Sequence, residues 1–310
     1  MIVHRGDQTL AIRALKNAAP YIRLYKGKTF VVKAGGGVFA EVAATRVLVE
    51  QIAILHYFGV RVVLVHGGGP QLTELSAALG LATRVVGGRR VTDEKSLEVT
   101  AMVLNGLLNT RLLALCRELN IDAVGISGVD AGLVRAHRRP PVALEDGERV
   151  DFGFVGDIDA VDTTVLRKLL DNGLMPVVSP LSADGSGTLL NINADTVAAA
   201  LGAALGAEKL ILCTGVPGIL ASREDAGSLI SYTDLAGLAR LRAEGRIAAG
   251  MLPKASAIEE ALRGGVRRVH VVSYHSPEGI LSEVFTNEGT GTLIVADVDA
   301  LTPAEQQSAP

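Results

Sequence analysis

Short runs of aliphatic and β-branched residues recur along the chain: FVVK at 30–33, RVVLVH at 61–66, AVGIS at 123–127, MPVVSP at 175–180, KLILCT at 209–214 and RVHVVS at 268–273. Each is nearly continuous in apolar character, as strands covered on both faces are. Between them lie stretches of helical spacing, notably 38–58, 94–119, 194–206 and 254–264. The alternation predicts an α/β fold, an open, mostly parallel sheet sandwiched by helices, with strand-end loops gathered at one edge where ligands bind. One more helix is expected ahead of the first strand. Over 8–22, Leu10, Ala11, Ala14, Leu15, Ala18, Ala19 and Ile22 make one stripe opposite Arg13, Lys16 and Asn17, and Pro20 is expected to end it. That stripe packs either on its own domain or on a neighbouring subunit. The polar interval 182–188 (SADGSGT) is expected between a strand and a helix, at a domain junction, and 302–310 as a frayed tail.

Composition narrows the function classes. A chain of 310 residues exceeds one ordinary domain and falls short of three, and 48% apolar with 20% charged residues excludes a disordered chain. No uninterrupted apolar run reaches the roughly 18 to 20 residues that cross a bilayer, so no membrane partner is expected. Net charge of −3 offers no basic field for nucleic acid. Cys116 and Cys213, alone and in apolar segments, build neither a disulfide framework nor a cysteine zinc site, which fits a reducing cytoplasm; the N-terminus carries no export signal.

The chemistry sits in glycine loops. The first strand ends in Lys33-Ala34-Gly35-Gly36-Gly37, and the next runs into His66-Gly67-Gly68-Gly69-Pro70, each loop opening a helix. Glycine lets the backbone approach a ligand and helix N-termini attract anions, so phosphate is the natural guest; a pair of plain strand-to-helix turns is the bland alternative. Gly27-Lys28-Thr29 does not complete a Walker A motif, because position 22 is Ile. Gly35-x-Gly37-x-x-Ala40 satisfies a degenerate dinucleotide fingerprint, but His66 stands where an acidic residue would hold the ribose. No G-x-S-x-G elbow accompanies HGGG, which disfavours serine hydrolysis. Three further strings attract attention: Asn191-Ile192-Asn193-Ala194-Asp195, part of which a helix cap at Asn193 would explain, though not Asn191; Gly250-Met251-Leu252-Pro253-Lys254 at a helix start, whose lysine a plain surface position would also accommodate; and Arg89-Arg90 after a glycine turn, suited to clamping a carboxylate or equally to a solvated loop.

KAGGG, HGGGP, GRRVTD, GFVGDI, NINAD, GMLPK and FTNEGTGTLI, in this order and spacing, resemble the amino acid kinase family over roughly residues 20 to 296. GRRVTD and NINAD favour its members that phosphorylate the γ-carboxylate of N-acetyl-L-glutamate in arginine biosynthesis. The resemblance implies the amino acid kinase fold with an N-terminal helix (1–24), a substrate-binding and dimer-forming domain (25–187), a nucleotide domain (188–298) and a tail (299–310). It implies ATP, with Mg2+ carried by the nucleotide. Lys33 and Lys254 resemble the lysines that hold the transferred phosphoryl group, and Asp195 the aspartate that orients them. Arg90 and Asn191 resemble the residues gripping the substrate's α-carboxylate and its surroundings, with Gly67, Gly68 and Gly69 beside them. Gly35, Gly36, Thr214, Gly215, Gly218 and Lys254 fall on the nucleotide side. Members with an N-terminal helix interlace dimers into hexamers and are inhibited by L-arginine; Tyr21, His270, Glu283 and Gly289 resemble their effector site. The sequence departs from the family pattern at Ala34, at the extra Gly37, at Gly215 where an aspartate is usual, and at Thr110 and Val129, where lysines are common. Three rivals stand beside this reading: a sister kinase for an acylated aminoadipate, a nicotinamide-dependent oxidoreductase and a non-catalytic arginine sensor.

Overall fold

The structure, a computed structural model, describes residues 5–87, 89–143, 147, 149–222, 225, 227–247, 249–286 and 289–299. Gly88 of GRRVTD, Asn287 and Glu288 of the closing motif, and the tail 302–310 lie outside them. Among the described residues, eight strands build the central sheet: β1 (Thr29–Ala34), β2 (Arg61–His66), β3 (Ala123–Ser127), β4 (Met175–Ser179), β5 (Lys209–Thr214), β6 (Tyr232–Asp234), β7 (Arg268–Ser273) and β8 (Thr292–Val295). Their order is β6-β8-β7-β5-β1-β2-β4-β3, and every neighbouring pair is parallel except β7 with β8. All six apolar runs read from the sequence lie in this sheet.

Ten α-helices accompany it among the same residues: α1 (Arg5–Tyr25), α2 (Val42–Tyr57), α3 (Gly69–Ala78), α4 (Glu94–Ala101), α5 (Asn109–Glu118), α6 (Thr164–Asp171), α7 (Ala194–Leu205), α8 (Leu235–Ala243), α9 (Leu252–Arg263) and α10 (Gly279–Phe285). The side-chain period of two divides the core between the two faces of the sheet. Val31, Val63, Val65, Leu210 and Leu212 pack against α6, α7, α8 and α9, whereas Phe30, Val32, Val62, Leu64 and Ile211 pack against α2, α5 and α10. A second, four-stranded sheet (Val134–Arg138, Gly156–Val161, Leu181–Ala183 and Leu189–Asn191) brings Asn191 towards the edge where the parallel strands end.

The elements differ from the sequence reading in four places. Helix α1 does not stop at Pro20 but runs through it to Tyr25. Proline forfeits one helical hydrogen bond, and the turn beyond it is held by Tyr21 and Tyr25 packing on the core. Residues 184–188 join two strands, not a strand and a helix: Asp184 Oδ1 accepts from the N–H groups of Ser186 and Thr188, both at 2.9 Å, and shapes a hairpin turn. The segment 38–58 opens with a 3-10 turn at Val38–Ala40 before α2. The segment 94–119 carries a π-helical stretch, Met102–Leu108, between α4 and α5. This 25-residue unit is long and apolar enough to span a membrane, yet Val103, Leu104, Leu108, Leu112 and Cys116 are buried against the rest of the protein, as in a core helix.

Candidate active site

Strand parity aims the first lysine. Lys33 lies two residues beyond Val31, so its side chain leaves the sheet on the face covered by α7 and α9. There it meets the first turns of both helices. Asn193 caps α7, its Oδ1 accepting from the N–H groups of Asp195 at 2.8 Å and Thr196 at 3.3 Å, and this fixes Asp195 in the first turn. Pro253, the second residue of α9, is followed by Lys254 in the first turn, at the end of a helix that disfavours a cation. The ammonium groups of Lys33 and Lys254 each donate to Asp195 Oδ1 at 2.9 Å, and all three side chains are nearly buried. Burial alone would raise the Asp195 pKa, but the charges and hydrogen bonds of the two lysines outweigh it and bring the carboxyl to about 2. Burial, then the neighbouring Lys33, lowers the Lys254 ammonium against the opposing pull of Asp195.

Lys33 and Asp195 form the floor of a cleft of about 220 Å³ whose wall includes Gly36, Gly67, Gly68, Gly69, Arg89, Arg90 and Asn191, with Lys254 reaching Asp195 from behind that floor. Close approach explains two of the glycines. A Cβ at Gly36 would lie 2.7 Å from Gly69 N and Pro70 Cδ, and one at Gly68 would lie 2.7 Å from Leu104 Cδ2 and Leu108 Cδ1. The two glycine loops therefore touch each other and rest on the π-helical segment, and Gln71 Nε2 ties them by donating to Gly36 O at 3.0 Å. Beneath them His66 is fully buried and held neutral, burial pushing its pKa down to about 4 against a hydrogen bond to Gly67 O. Because that carbonyl only accepts, Nδ1 carries the proton, and Nε2 accepts from Asn109 Nδ2 at 3.2 Å. His66 supports the loop from below, a role the sequence did not reveal.

Arg90 is held by its own neighbourhood, donating to Thr83 Oγ1 at 3.0 Å, Thr73 Oγ1 at 2.7 Å and Gly69 O at 3.2 Å. Arg89, the other half of the pair, lines the same cleft; burial first, then Arg139, lowers its pKa, with Asp157 and Glu260 opposing. Asn191 donates from Nδ2 to Thr92 Oγ1 at 3.2 Å and from its main chain to Phe154 O at 2.8 Å. Gly35 lies at the Lys33 ammonium, a Cβ there falling 3.7 Å from Nζ. Thr214 and Gly215 are at the C-terminal end of β5 outside this cleft, and Gly218 is backed against Thr292 and Leu229.

A second cluster lies away from the cleft. His270 Nδ1 donates to Glu283 Oε2 at 2.7 Å and its Nε2 accepts from Lys209 Nζ at 2.9 Å, while Glu283 Oε1 takes the N–H groups of Thr290 and Gly291. Burial and then Lys209 push His270 down to about 4; burial and then Arg268 push Lys209 down to about 7. The Lys209 ammonium sits 5.2 Å from the centre of the Tyr25 ring on α1. Tyr21, Tyr25, Lys209, His270, Glu283 and Gly289 enclose a cavity of only about 20 Å³.

Sheet order, glycine loops and the lysine–aspartate–lysine triad define a kinase of small molecules, and residues 28–273 match the amino acid kinase family, to which the chain belongs. It is 48% identical over 289 residues to the acetylglutamate kinase of Myxococcus xanthus, covering 92% of this chain and 94% of that protein. With the acetylglutamate kinase of Symbiobacterium thermophilum it shares 44% identity over 282 residues, covering 91% of this chain and 96% of that one. Among solved structures it resembles N-acetylglutamate synthase from Neisseria gonorrhoeae complexed with coenzyme A and N-acetyl-glutamate, with a TM-score of 0.80, 30% identity and coverage of 93% of this chain. The chain spans 64% of that longer protein. The same synthase has been solved with coenzyme A and L-arginine, at a TM-score of 0.74 and 27% identity, with 92% of this chain and 65% of that one covered.

Proposed function

We propose that this chain transfers the terminal phosphoryl group of ATP to the side-chain carboxylate of N-acetyl-L-glutamate, giving ADP and the acyl phosphate, in arginine biosynthesis. The observation that carries this is the convergence of two buried ammonium groups on one carboxylate oxygen beside a pair of touching glycine loops. A carboxylate is already a nucleophile at neutral pH, so the reaction needs no general base. One carboxylate oxygen bonds to the γ-phosphorus as the bond from that phosphorus to the β,γ-bridging oxygen breaks, and ADP leaves with the electron pair. Alignment and positive charge are what the protein must add. Lys33 and Lys254 supply the charge; Asp195, ionised at every physiological pH, keeps them in place and takes no proton.

The amides of Gly35, Gly36, Gly67, Gly68 and Gly69 cradle phosphate and the reacting carboxylate, Arg90 and Asn191 grip the α-carboxylate and its surroundings, and Thr214, Gly215 and Gly218 lie on the nucleotide side. No group of three or more His, Cys, Asp or Glu side chains suited to a metal occurs among the described residues, and Asp195 is committed to two lysines. A divalent ion suits this donor set only as a passenger on the phosphates of ATP, where it supplies charge neutralisation.

Control by L-arginine belongs to the same reading. Glu283, beside His270, Gly289 and Tyr21, is the anion a guanidinium effector would meet, and α1 carries exposed Ile12, Leu15 and Leu24 (57%, 58% and 55%), apolar surface suited to a homodimer or hexamer. A cytoplasmic setting fits the two unpaired thiols. The primary test is hydroxylamine trapping of the acyl phosphate with ATP and a panel of acylated amino acids. N-acetyl-L-glutamate is expected to give the highest kcat/KM; a higher value with the acylated aminoadipate would move the assignment to the sister kinase, and none with any acceptor would remove it.

A further inference from the structure

Chain order along the sheet reverses at β1: β2, β4 and β3 extend to one side of it, β5, β7 and β8 to the other. Ligands of open α/β sheets bind outside the carboxyl ends of the strands at such a point, here the crevice between β1 and β5. Tyr274, the first residue after β7, stands at that edge. Its main-chain N–H donates to Thr214 O at 2.9 Å, and its ring leans on His275 with centroids 4.2 Å apart. A Cβ at Gly37 would fall 2.9 Å from the Tyr274 hydroxyl, and a Cβ at Gly215 would fall 3.2 Å from it. One phenol thus accounts for two of the departures from the family pattern, the extra glycine of the first loop and the glycine in place of aspartate.

The Tyr274 ring is half-buried, and its hydroxyl has no hydrogen-bond partner among the described residues. Glycine at 215 leaves room for the phenol at this edge, and a hydroxyl there can donate to a phosphate oxygen. We propose that Tyr274 is a nucleotide-binding residue whose hydroxyl donates to the polyphosphate of the nucleoside triphosphate, a role that rests on the phosphotransfer reading above.

The test is calorimetric binding of ATP, tripolyphosphate and adenosine to the wild type and to Tyr274→Phe, with steady-state KM values for ATP and the acceptor. Loss of one hydrogen bond to a charged group is expected to weaken ATP and tripolyphosphate by about tenfold or more, leaving adenosine binding and the acceptor KM unchanged. Gly37→Ala, which displaces the hydroxyl without deleting it, is expected to act in the same direction. ATP binding by Tyr274→Phe equal to wild type, with loss only in Tyr274→Ala, would reduce the tyrosine to a filler and overturn its assignment alone. A wild-type protein binding neither ATP nor tripolyphosphate would overturn both this and the phosphotransfer reading.

Discussion

At Asp195 one carboxylate oxygen accepts from two ammonium groups, leaving an excess of positive charge on a nearly dry floor. The sequence flags all three members through the KAGGG, NINAD and GMLPK strings and the family resemblance they carry; what it does not report is that both ammonium groups meet one carboxylate oxygen, since the three positions are far apart in the chain. The pH dependence follows from the shifts. Because the folded Asp195 pKa is depressed to about 2, its contribution to stability is present above the ordinary value of 3.8 and is lost as pH falls through about 2. Acid titration followed by circular dichroism should therefore show Asp195→Asn losing less stability than the wild type between those limits. At the alkaline end the lowered Lys254 pKa discharges its ammonium below the ordinary lysine value of 10.5. The basic limb of a kcat/KM profile is expected below that value, and a profile flat through it would argue that the ammonium is dispensable.

At the scale of elements, the loops work because glycines let them touch. Gly68→Ala pushes a methyl group into Leu104 and Leu108 of the π-helical stretch, and overpacking of this kind costs about 1 to 3 kcal/mol. Its expected signature is a lowered Tm together with a raised acceptor KM, and an unchanged KM would detach this loop from the substrate. The central strands were legible because their apolar runs are short, rich in β-branched residues and bounded by turn residues, which together favour a strand covered on both faces over a buried helix. Helix α7 was legible because Asn193, an alanine-rich body and the left-handed Gly206 mark both its ends. The route of α1 through Pro20 was not legible: local rules stop a helix there, and only packing of Tyr21 and Tyr25 on the core overrides them. The hairpin at 184–188 was missed for a similar reason, since its strands are three residues each and carry little periodicity. His66 with Asn109, and Tyr274 with Gly37 and Gly215, join residues far apart in the chain, which no local pattern reports.

Across the whole molecule, α1 touches the regions proposed for assembly and for control by arginine. Tyr25 on this helix covers the Lys209 ammonium, which continues through His270 to Glu283, so the N-terminal helix is in contact with the proposed arginine site. Glu283→Gln should relieve inhibition by millimolar L-arginine while leaving turnover without arginine near the wild-type level; unaltered inhibition would place the effector elsewhere. Replacing exposed Ile12 and Leu15 by serine should lower the oligomeric mass in light scattering, whereas an unchanged mass would return the stripe to a solvent-facing role. The cleft itself depends on residues brought from β1, α7 and α9, separated by most of the chain and joined through a single carboxylate. Single-turnover transfer from radiolabelled ATP to N-acetyl-L-glutamate in Lys33→Ala and Lys254→Ala tests that junction most directly. Each is expected to slow the chemical step by about 10²-fold or more, with melting near that of the wild type; transfer within a few-fold of wild type in either variant would contradict it.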